Sequence, residues 1–317
     1  MSVQTLEWNQ MPPADTCGGA VTIGNFDGVH RGHAALLAEV RKQARAVHGP
    51  ALAVTFDPHP LQLLRPESFE PVLTARAQRA ELLQRCGADH VIFLKTTPAL
   101  LQLSAAEFFE QVVRKRLAAR AIVEGRNFGF GRNREGNIET LAGLCAGAGV
   151  RLTIVAPVLF DGRPVSSSRV RQALLRGAVG EAADMLDCPY RLTGTVGTGQ
   201  RRGRKIGFPT ANLEGIETLI PKDGVYAVRA WLGERSWPAA VNVGPNPTFG
   251  EIIRKVEAHL IGFEGELLGD LLTIDFVERL RDTQRFASVP DLVAQLRRDV
   301  ERVHALVGPD AYRGGKQ

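Results

Sequence analysis

The sequence predicts an N-terminal doubly wound parallel sheet followed by an antiparallel β-barrel with a C-terminal helix. Its 317 residues favour two domains. Up to about residue 186, short apolar runs alternate with helix-like segments, the pattern of a parallel sheet covered by helices. Beyond that point, strand-like segments follow one another with turn residues between them, which indicates an antiparallel sheet or barrel. We therefore place one domain at residues 1–186 and a second at residues 187–317.

The N-terminal strands are short apolar runs rich in β-branched residues, as expected for strands buried on both faces. They comprise Ala20–Ile23 and residues 51–56, 90–94, 120–125 and 150–155. Helix patterns lie between these runs, at residues 31–47, 74–86 and 138–148. Ser104 and Glu107 form a capping box ahead of a further helix. Ligands of such sheets bind at the carboxyl ends of the strands, so the site is expected there.

The C-terminal half begins with a stretch rich in glycine and threonine that starts at Tyr190. Four further strand-like segments follow it, at residues 224–232, 236–244, 254–263 and 271–280. One helix pattern closes the chain, and Ser288 and Asp291 cap its start. Its apolar stripe consists of Leu292, Leu296 and Val300.

The composition is that of an ordinary globular protein with a mild excess of positive charge. Hydrophobic residues make up 44% and charged residues 23%, and the net charge is +5. This excess suits anionic ligands, either nucleotides or nucleic acid. No apolar run approaches the roughly 20 residues of a membrane span, and the N-terminus lacks the basic and apolar regions of a signal peptide. We therefore expect a cytoplasmic protein without a membrane partner.

The four cysteines are far apart in the sequence and form no C-x-x-C pair. This spacing predicts reduced thiols rather than a disulfide framework or a zinc site. The residues concerned are Cys17, Cys86, Cys145 and Cys188.

The stretch GNFDGVHRGH, residues 24–33, follows the first strand and precedes a helix pattern. His30 and His33 are three residues apart, so on a helix they share one face. Gly24 and Gly28 allow the backbone to approach a ligand closely, and the free N–H groups of a helix start suit a phosphate. A zinc site needs three or four ligands, and no Cys/His cluster accompanies the pair. On these residues alone, a phosphate site and a packed helix start are equally well supported.

This stretch resembles the signature of the H-x-G-H nucleotidylyltransferases, in the form found in the FAD synthetase half of the bifunctional riboflavin kinase/FAD synthetases. Three further stretches agree in order: TFDPHP (55–60), EGRNFGFGRNREGN (124–137) and VSSSRVR (165–171). The resemblance implies a Rossmann-like nucleotidylyltransferase domain that transfers the adenylyl group of ATP to the phosphate of FMN. Such a transfer depends on positioning and charge neutralisation, with Mg²⁺ assisting.

The resemblance also implies roles for individual residues of the N-terminal domain. His30 and His33 would contact the phosphates of ATP, and Asn127 would lie near the phosphates or the flavin phosphate. Ser168 and Arg171 would bind phosphates from a second helix start. The other positions expected to contact ATP or flavin are Gly24, Phe26, Asp27, Gly28, Phe56 and Phe128. For Phe56, packing in the core is an equally good interpretation.

The stretch GQRRGRKIGFPTAN, residues 199–212, contains the densest basic cluster of the chain. Charge alone favours a solvated loop, but glycines, basic residues and a polar tail together suggest a flap over phosphates. Thr210 and Asn212 alternate on a predicted strand, so their side chains face one way. Their oxygen atoms suit Mg²⁺, a hard cation, although a polar turn after the proline is the alternative.

The full stretch resembles the riboflavin kinase motif G-x-x-x-G-R-x-x-G-F-P-T-A-N, and later segments follow in the order of that family. They are GVYAV (224–228), NVGPNPTFG (242–250), VEAHL (256–260) and LRDTQRFASVPDLVAQLRRDV (280–300). The resemblance implies that Glu257 is the catalytic base, whereas strand alternation alone makes it a solvent-facing residue. It also assigns ATP or flavin binding to Gly199, Arg204 and Gly207, and Mg²⁺ binding to Thr210 and Asn212.

Together the motifs imply a bifunctional enzyme of flavin cofactor biosynthesis. The C-terminal domain would phosphorylate riboflavin to FMN, and the N-terminal domain would convert FMN to FAD with release of pyrophosphate. The expected partners are riboflavin, FMN and ATP, without nucleic acid. One alternative is a nucleotidylyltransferase with another acceptor, which has no reason to carry GFPTAN. The other is a basic nucleic-acid-binding regulator, which leaves Glu257 and the two histidines unexplained and predicts affinity that falls steeply with salt.

Overall fold

The computed structural model describes residues 1–198, 203, 206–245 and 254–308. Contacts divide the chain into two compact units. The first unit comprises Met1–Glu70 and Thr74–Ser167, and the second comprises Pro71–Leu73 and the chain from Ser168 onward. The domain boundary that we place at residue 186 stays a prediction.

The first unit is built on a six-stranded sheet in which all neighbouring strands are parallel, in the order β1-β4-β3-β2-β5-β6. These strands are β1 (Ser2–Leu6), β2 (Ala20–Ile23), β3 (Ala51–Asp57), β4 (His90–Lys95), β5 (Ala121–Gly125) and β6 (Arg151–Val155). The helices are α1 (Arg31–Ala46), α2 (Pro60–Leu64), α3 (Arg76–Arg85), α4 (Pro98–Gln102), α5 (Ala105–Phe108), which continues as a π-helix over Phe109–Arg116, and α6 (Ile138–Ala148). A separate antiparallel pair consists of β7 (Leu159–Phe160) and β8 (Arg163–Pro164).

The central strands of this sheet are buried on both faces because alternate residues enter different clusters. On one face, Val21 and Ile92 belong to a cluster that includes Phe108 of α5. On the other face, Phe93 packs in a cluster with Leu37 of α1. The apolar runs of the sequence therefore correspond to strands covered by helices on both sides, which confirms the predicted parallel α/β architecture.

β2 and β5 are neighbours in the sheet, but the chain leaves them in opposite directions. From β2 it passes through α1 to β3 and then β4, whereas from β5 it passes through α6 to β6 on the other side. Divergent connections of this kind open a crevice at the carboxyl ends of the two strands, where α/β sheets bind ligands. Residues 24–33 follow β2, and residues 124–137 begin at the end of β5. The fold therefore brings two separate motifs to one crevice.

The second unit is a closed six-stranded barrel with the order β10-β13-β12-β11-β14-β9, and all its strand pairs are antiparallel. The strands are β9 (Tyr190–Gly197), β10 (Ala211–Glu214), β11 (Gly224–Leu232), β12 (Arg235–Gly244), β13 (Lys255–Leu260) and β14 (Leu271–Arg281). The helices are α7 (Ser167–Arg176), α8 (Val179–Leu186) and α9 (Val289–Val307). The predicted barrel and C-terminal helix are both confirmed.

Helix α9 covers part of the outer face of the barrel. Val303 of α9 packs in a buried cluster with Val225 of β11 and Leu280 of β14. An ion pair fixes the same contact: the Arg281 guanidinium lies 2.8 Å from the carboxylate of Asp299, which is 2% exposed. Ser288 caps the helix by accepting a hydrogen bond from the backbone N–H of Asp291, as the sequence predicts.

Several elements were not predicted from the sequence. β1 adds a parallel edge strand beside β4, and the short helices α2, α4 and α8 were also not predicted. The capping box of Ser104 and Glu107 is present as predicted. Within the described part of the chain, none of the helices is both long enough and apolar enough to cross a membrane.

Candidate active sites

Two histidine rings are stacked at the start of α1. His30 is the N-cap residue, and the ring centroids of His30 and His33 lie 3.7 Å apart with 15° between their planes. Gly32 leaves room for this arrangement, because a Cβ there would lie 3.0 Å from Cε1 of His30. Among the described residues, the buried Nδ1 atoms of both rings have no hydrogen-bond partner. The pair therefore has hydrogen-bonding capacity to offer a ligand at a helix start.

Both imidazoles are neutral in the ligand-free protein at pH 7. Burial lowers the pKa of His30 from 6.5 to about 4, although its backbone hydrogen bond and Asp27 oppose the shift. Burial, followed by the neighbouring His30 and Arg79, lowers the pKa of His33 well below its ordinary value. A polyphosphate beside the rings would raise both pKa values, because an anion favours the charged form of a base. The pair can therefore donate to phosphate oxygens and gain positive charge as the anion binds.

The turn between β2 and α1 has an unusual backbone conformation. Phe26 and Val29 have φ angles of 47° and 43°, and Gly28 has 85°. Positive φ is uncommon for residues other than glycine, above all for β-branched valine. The backbone N–H of Gly28 donates to Oγ1 of Thr74 at 3.2 Å, which helps to hold the turn. Strain of this kind is concentrated at functional sites, and here it immediately precedes His30.

Asp27 belongs to the framework of the same turn. Its Oδ1 accepts a hydrogen bond from the backbone N–H of Thr74 at 3.2 Å and lies 4.0 Å from Nη2 of Arg79. Arg79, itself 5% exposed, also donates to the carbonyl oxygen of Thr74. Ser167 donates through Oγ to the carbonyl oxygen of Asp27 at 2.8 Å. The carboxylate of Asp27 thus has contacts inside the protein, and the ligand contact expected for it stays a prediction.

Glu124, which belongs to a motif but was not selected as a functional residue, lies at the crevice between β2 and β5. Its Oε1 accepts a hydrogen bond from the backbone N–H of Ile23 at 2.7 Å, and the residue is 2% exposed. The two strands pair through their backbones only as far as Val21 and Ile122, so the side chain replaces a backbone acceptor. Burial raises the pKa of Glu124 well above its ordinary value, and the Ile23 hydrogen bond only partly opposes this. The sequence signal was a glutamate at the end of an apolar strand.

A cavity of about 390 Å³ opens at this edge of the sheet. Gly24, Phe56, Asn127 and Phe128 all line it, so the structure brings four of the predicted positions together. The ring of Phe128 stacks on that of Phe130, with centroids 5.3 Å apart and planes 17° apart. The volume lies in the usual range for a small-molecule site, and its aromatic wall suits a flat ring system.

Of the predicted N-terminal positions, Phe26, Asp27, Gly28, His30 and His33 do not line this cavity but lie in the turn and helix start that follow Gly24. Four other predicted positions lie in the second unit or outside the described residues. Ser168 and Arg171 lie on α7 and belong to the second unit, where Nη2 of Arg171 donates to the carbonyl oxygen of Pro71 at 3.3 Å. Gly199 and Arg204 lie outside the described residues. The phosphate contacts expected for all four stay predictions.

In the second unit, three polar residues lie side by side on three neighbouring strands. Asn212 of β10 and Asn242 of β12 are both direct cross-strand partners of Glu257 on β13. Directly opposite residues in antiparallel strands project from the same face. Their strand neighbours are buried, for example Val256 at 3% and Ala258 at 0% exposure, so the three side chains lie on the outer face of the barrel. The predicted Mg²⁺ ligand Asn212 and the predicted base Glu257 are therefore adjacent.

Thr210 directly precedes β10 and lines a cavity of about 200 Å³ together with Leu260 and Phe263. Gly207 has a φ angle of 84°, which glycine adopts without strain. Nδ1 of His259 lies 2.8 Å from the carbonyl oxygen of Pro209. This contact ties the segment before β10 to β13, the strand that carries Glu257.

Two family models match the chain: FAD synthetase over residues 13–169 and riboflavin kinase over residues 186–307. A bifunctional riboflavin kinase/FMN adenylyltransferase of Pseudomonas fluorescens is 37% identical over 297 residues, which cover 93% of this chain and 95% of the relative. The chain belongs to the bifunctional riboflavin kinase/FMN adenylyltransferase family. The relative of the same name from Escherichia coli strain K12 is 35% identical over 89% of this chain and 90% of its own length.

Among solved structures, the chain is similar to one titled as a macrolide-efflux protein from Streptococcus pneumoniae. The two are 31% identical, with a TM-score of 0.85 over 96% of this chain and 98% of the other. Membership of the bifunctional riboflavin kinase/FMN adenylyltransferase family confirms the predicted activities and their order in the chain. The N-terminal domain is an FMN adenylyltransferase and the C-terminal domain a riboflavin kinase, so the enzyme makes flavin cofactors.

Proposed function

We propose that FMN adenylyl transfer takes place in the first unit, with the ATP phosphates held at His30 and His33. The observation that carries this proposal is the stacked, neutral histidine pair at the N-cap of α1. The imidazoles and the free N–H groups of the helix start would donate to phosphate oxygens. The flavin ring would lie against Phe56 and Phe128 in the 390 Å³ cavity. Asn127 lines the same cavity and would orient a phosphate.

In this transfer, an oxygen of the FMN phosphate attacks the α-phosphorus of ATP and pyrophosphate leaves. The reaction requires no covalent intermediate with the protein, so the residues act by positioning and by stabilising charge. Fixed donors at the start of α1 stabilise charge that develops on the phosphate oxygens. Ser168 and Arg171 are further candidates for this role, as are the backbone groups of Phe26, Asp27 and Gly28.

In the second unit, Glu257 takes the proton of the ribityl 5′-hydroxyl as that oxygen attacks the γ-phosphorus of ATP. A bond forms between the 5′-oxygen and phosphorus, and the bond from phosphorus to ADP breaks. Support comes from the strand register, which sets the Glu257 carboxylate beside the side chain of Asn212. Thr210 and Asn212 offer neutral oxygen donors of the kind that Mg²⁺ accepts, and bound Mg²⁺ would neutralise phosphate charge. Gly199, Arg204 and Gly207 would cover the phosphates.

The expected ligands are thus riboflavin, FMN, ATP and Mg²⁺. A cytoplasmic location and the absence of nucleic acid and membrane partners stay predictions from the sequence.

The separation of the two sites is tested by supplying the purified protein with riboflavin, ATP and Mg²⁺ and following the products by chromatography. His30→Ala should stop FAD formation while FMN accumulates, and Glu257→Ala should stop FMN formation while added FMN is still converted to FAD. His48→Asn and Glu264→Ala change exposed residues and serve as matched controls. Loss of both steps in either active-site variant would contradict the assignment of one site to each unit.

A further inference from the structure

Asn242 has an unused hydrogen-bond donor beside the proposed kinase base. Its amide Nδ2 is buried and has no hydrogen-bond partner among the described residues. Buried donors are nearly always paired, and an unpaired one in a native protein requires an explanation. Asn242 is the first residue of the segment NVGPNPTFG (242–250), but it is not among the predicted site residues. Nδ2 of Asn242 is therefore a buried donor that a substrate group can satisfy.

The position of this donor follows from the register of the barrel. Asn242 lies directly opposite Glu257 across the β12–β13 pair, and Asn212 lies opposite Glu257 on its other side. Directly opposite residues have Cβ atoms about 4.5–5.5 Å apart, so a single oxygen atom can contact both side chains. On the next strand, Asn242 is opposite Val225, which is 6% exposed and packs with residues of α9. The row of polar side chains formed by Asn212, Glu257 and Asn242 therefore ends at Asn242, beside an apolar surface.

The chemistry of a hydroxyl group fits this pair. A hydroxyl donates one hydrogen bond and accepts up to two. A substrate hydroxyl beside Glu257 can donate to the carboxylate and accept from Nδ2 of Asn242 at the same time. When the hydroxyl loses its proton, its oxygen gains negative charge, and a hydrogen bond to a charged acceptor is stronger than one to a neutral acceptor. The contact would thus become more favourable as the 5′-oxygen attacks phosphorus.

We propose that Asn242 is a substrate-binding residue of the riboflavin kinase site, donating a hydrogen bond to the ribityl 5′-oxygen. This inference rests on the proposed role of Glu257, because Glu257 specifies which substrate atom lies there. Asn242 fixes the 5′-oxygen between the carboxylate and the incoming phosphorus. It thereby favours substrates with a hydroxyl at that position over those without one.

The test compares riboflavin as substrate with 5′-deoxyriboflavin, which lacks the hydroxyl, cannot be phosphorylated there and is assayed as an inhibitor competing with riboflavin. Asn242→Ala should raise the KM for riboflavin by about threefold to tenfold, the usual worth of one neutral hydrogen bond. The inhibition constant of 5′-deoxyriboflavin should stay the same, because that molecule has no oxygen for Asn242 to contact. Asn242→Asp, which keeps the size and removes the donor, should behave in the same direction. If the two constants rise together, or if neither changes, the proposal is wrong.

Two controls separate this result from general damage. Thr193→Val removes a hydroxyl from an outward-facing pair with Thr273 on β9 and β14 and should change neither constant. Conversion of FMN to FAD in each preparation reports that the other unit is intact. Glu257→Gln tests the base separately: kinase turnover at the wild-type rate would refute the role of Glu257. The comparison of the two ligands concerns binding and would still decide the role of Asn242.

Discussion

Substitutions of Glu124 test whether a buried carboxyl group holds β2 and β5 at the adenylyltransferase crevice. Glu124→Leu removes the acceptor of the Ile23 N–H, whose present hydrogen bond is 2.7 Å long. An orphaned buried N–H costs about 1–3 kcal/mol of stability. The loss would also loosen the backbone next to Gly24, which lines the cavity and keeps its own hydrogen bond to the carbonyl oxygen of Val54. Because small displacements of binding groups lower rates strongly, FMN adenylylation should fall by roughly tenfold to a hundredfold.

Glu124→Gln addresses the protonation state of the same group. Burial raises the pKa of Glu124 well above 4.5, so the folded protein keeps the proton at pH values where the unfolded chain has lost it. The protonated carboxyl group of Glu124 stabilises the folded protein in full below the pKa that Glu124 has in the unfolded chain. This stabilisation is lost as pH rises towards the pKa of Glu124 in the folded protein. Over that window the unfolding constant of the wild type should rise about tenfold per pH unit relative to Glu124→Gln.

The assay is urea unfolding of the wild type, Glu124→Gln and Glu124→Leu at several pH values above 4.5, together with both enzyme activities. Glu139→Gln, a change at an exposed position on α6, is the matched control. Riboflavin phosphorylation should be unchanged in all variants. If the free energies of unfolding of the wild type and Glu124→Gln changed with pH in parallel, the inference that buried Glu124 keeps its proton would be wrong. Full adenylyltransferase activity in Glu124→Leu would refute its positioning role.

Three further outcomes are expected. Asp299→Ala should destabilise the second unit by about 3–5 kcal/mol in a urea titration, because it leaves Arg281 without its buried partner. As a control in the same titration, Glu278→Ala removes an exposed ion pair and should cost less than about 1 kcal/mol. Gly131→Ala should lower FMN adenylylation but not riboflavin phosphorylation, since φ is 75° and a Cβ would lie 2.5 Å from the backbone nitrogen of Ala105. Chelation of Mg²⁺ should stop both activities in the product assay, and added Mg²⁺ should restore them; activity without metal would contradict the proposed chemistry.

Local patterns in the sequence were sufficient to predict the architecture and the two activities. Each strand of the parallel sheet that is buried on both faces carries its own apolar run, and each motif is a contiguous stretch. His30 and His33 were found because both belong to one helix start. The same holds for Ser288, whose capping hydrogen bond joins residues three positions apart.

Only the tertiary structure revealed the contacts that depend on sheet order and register. Glu124 and the N–H of Ile23 are 101 positions apart and meet because β2 and β5 are adjacent. Asn242 lies beside Glu257 because of the register of a single strand pair. The alternation of buried and exposed residues fixes the face on which each side chain lies, but a shift of two residues would keep the faces and change the partners, so the alternation alone does not determine this pairing. The sequence by itself therefore determined the fold class and the chemistry, whereas long-range pairing decided which side chains surround each site.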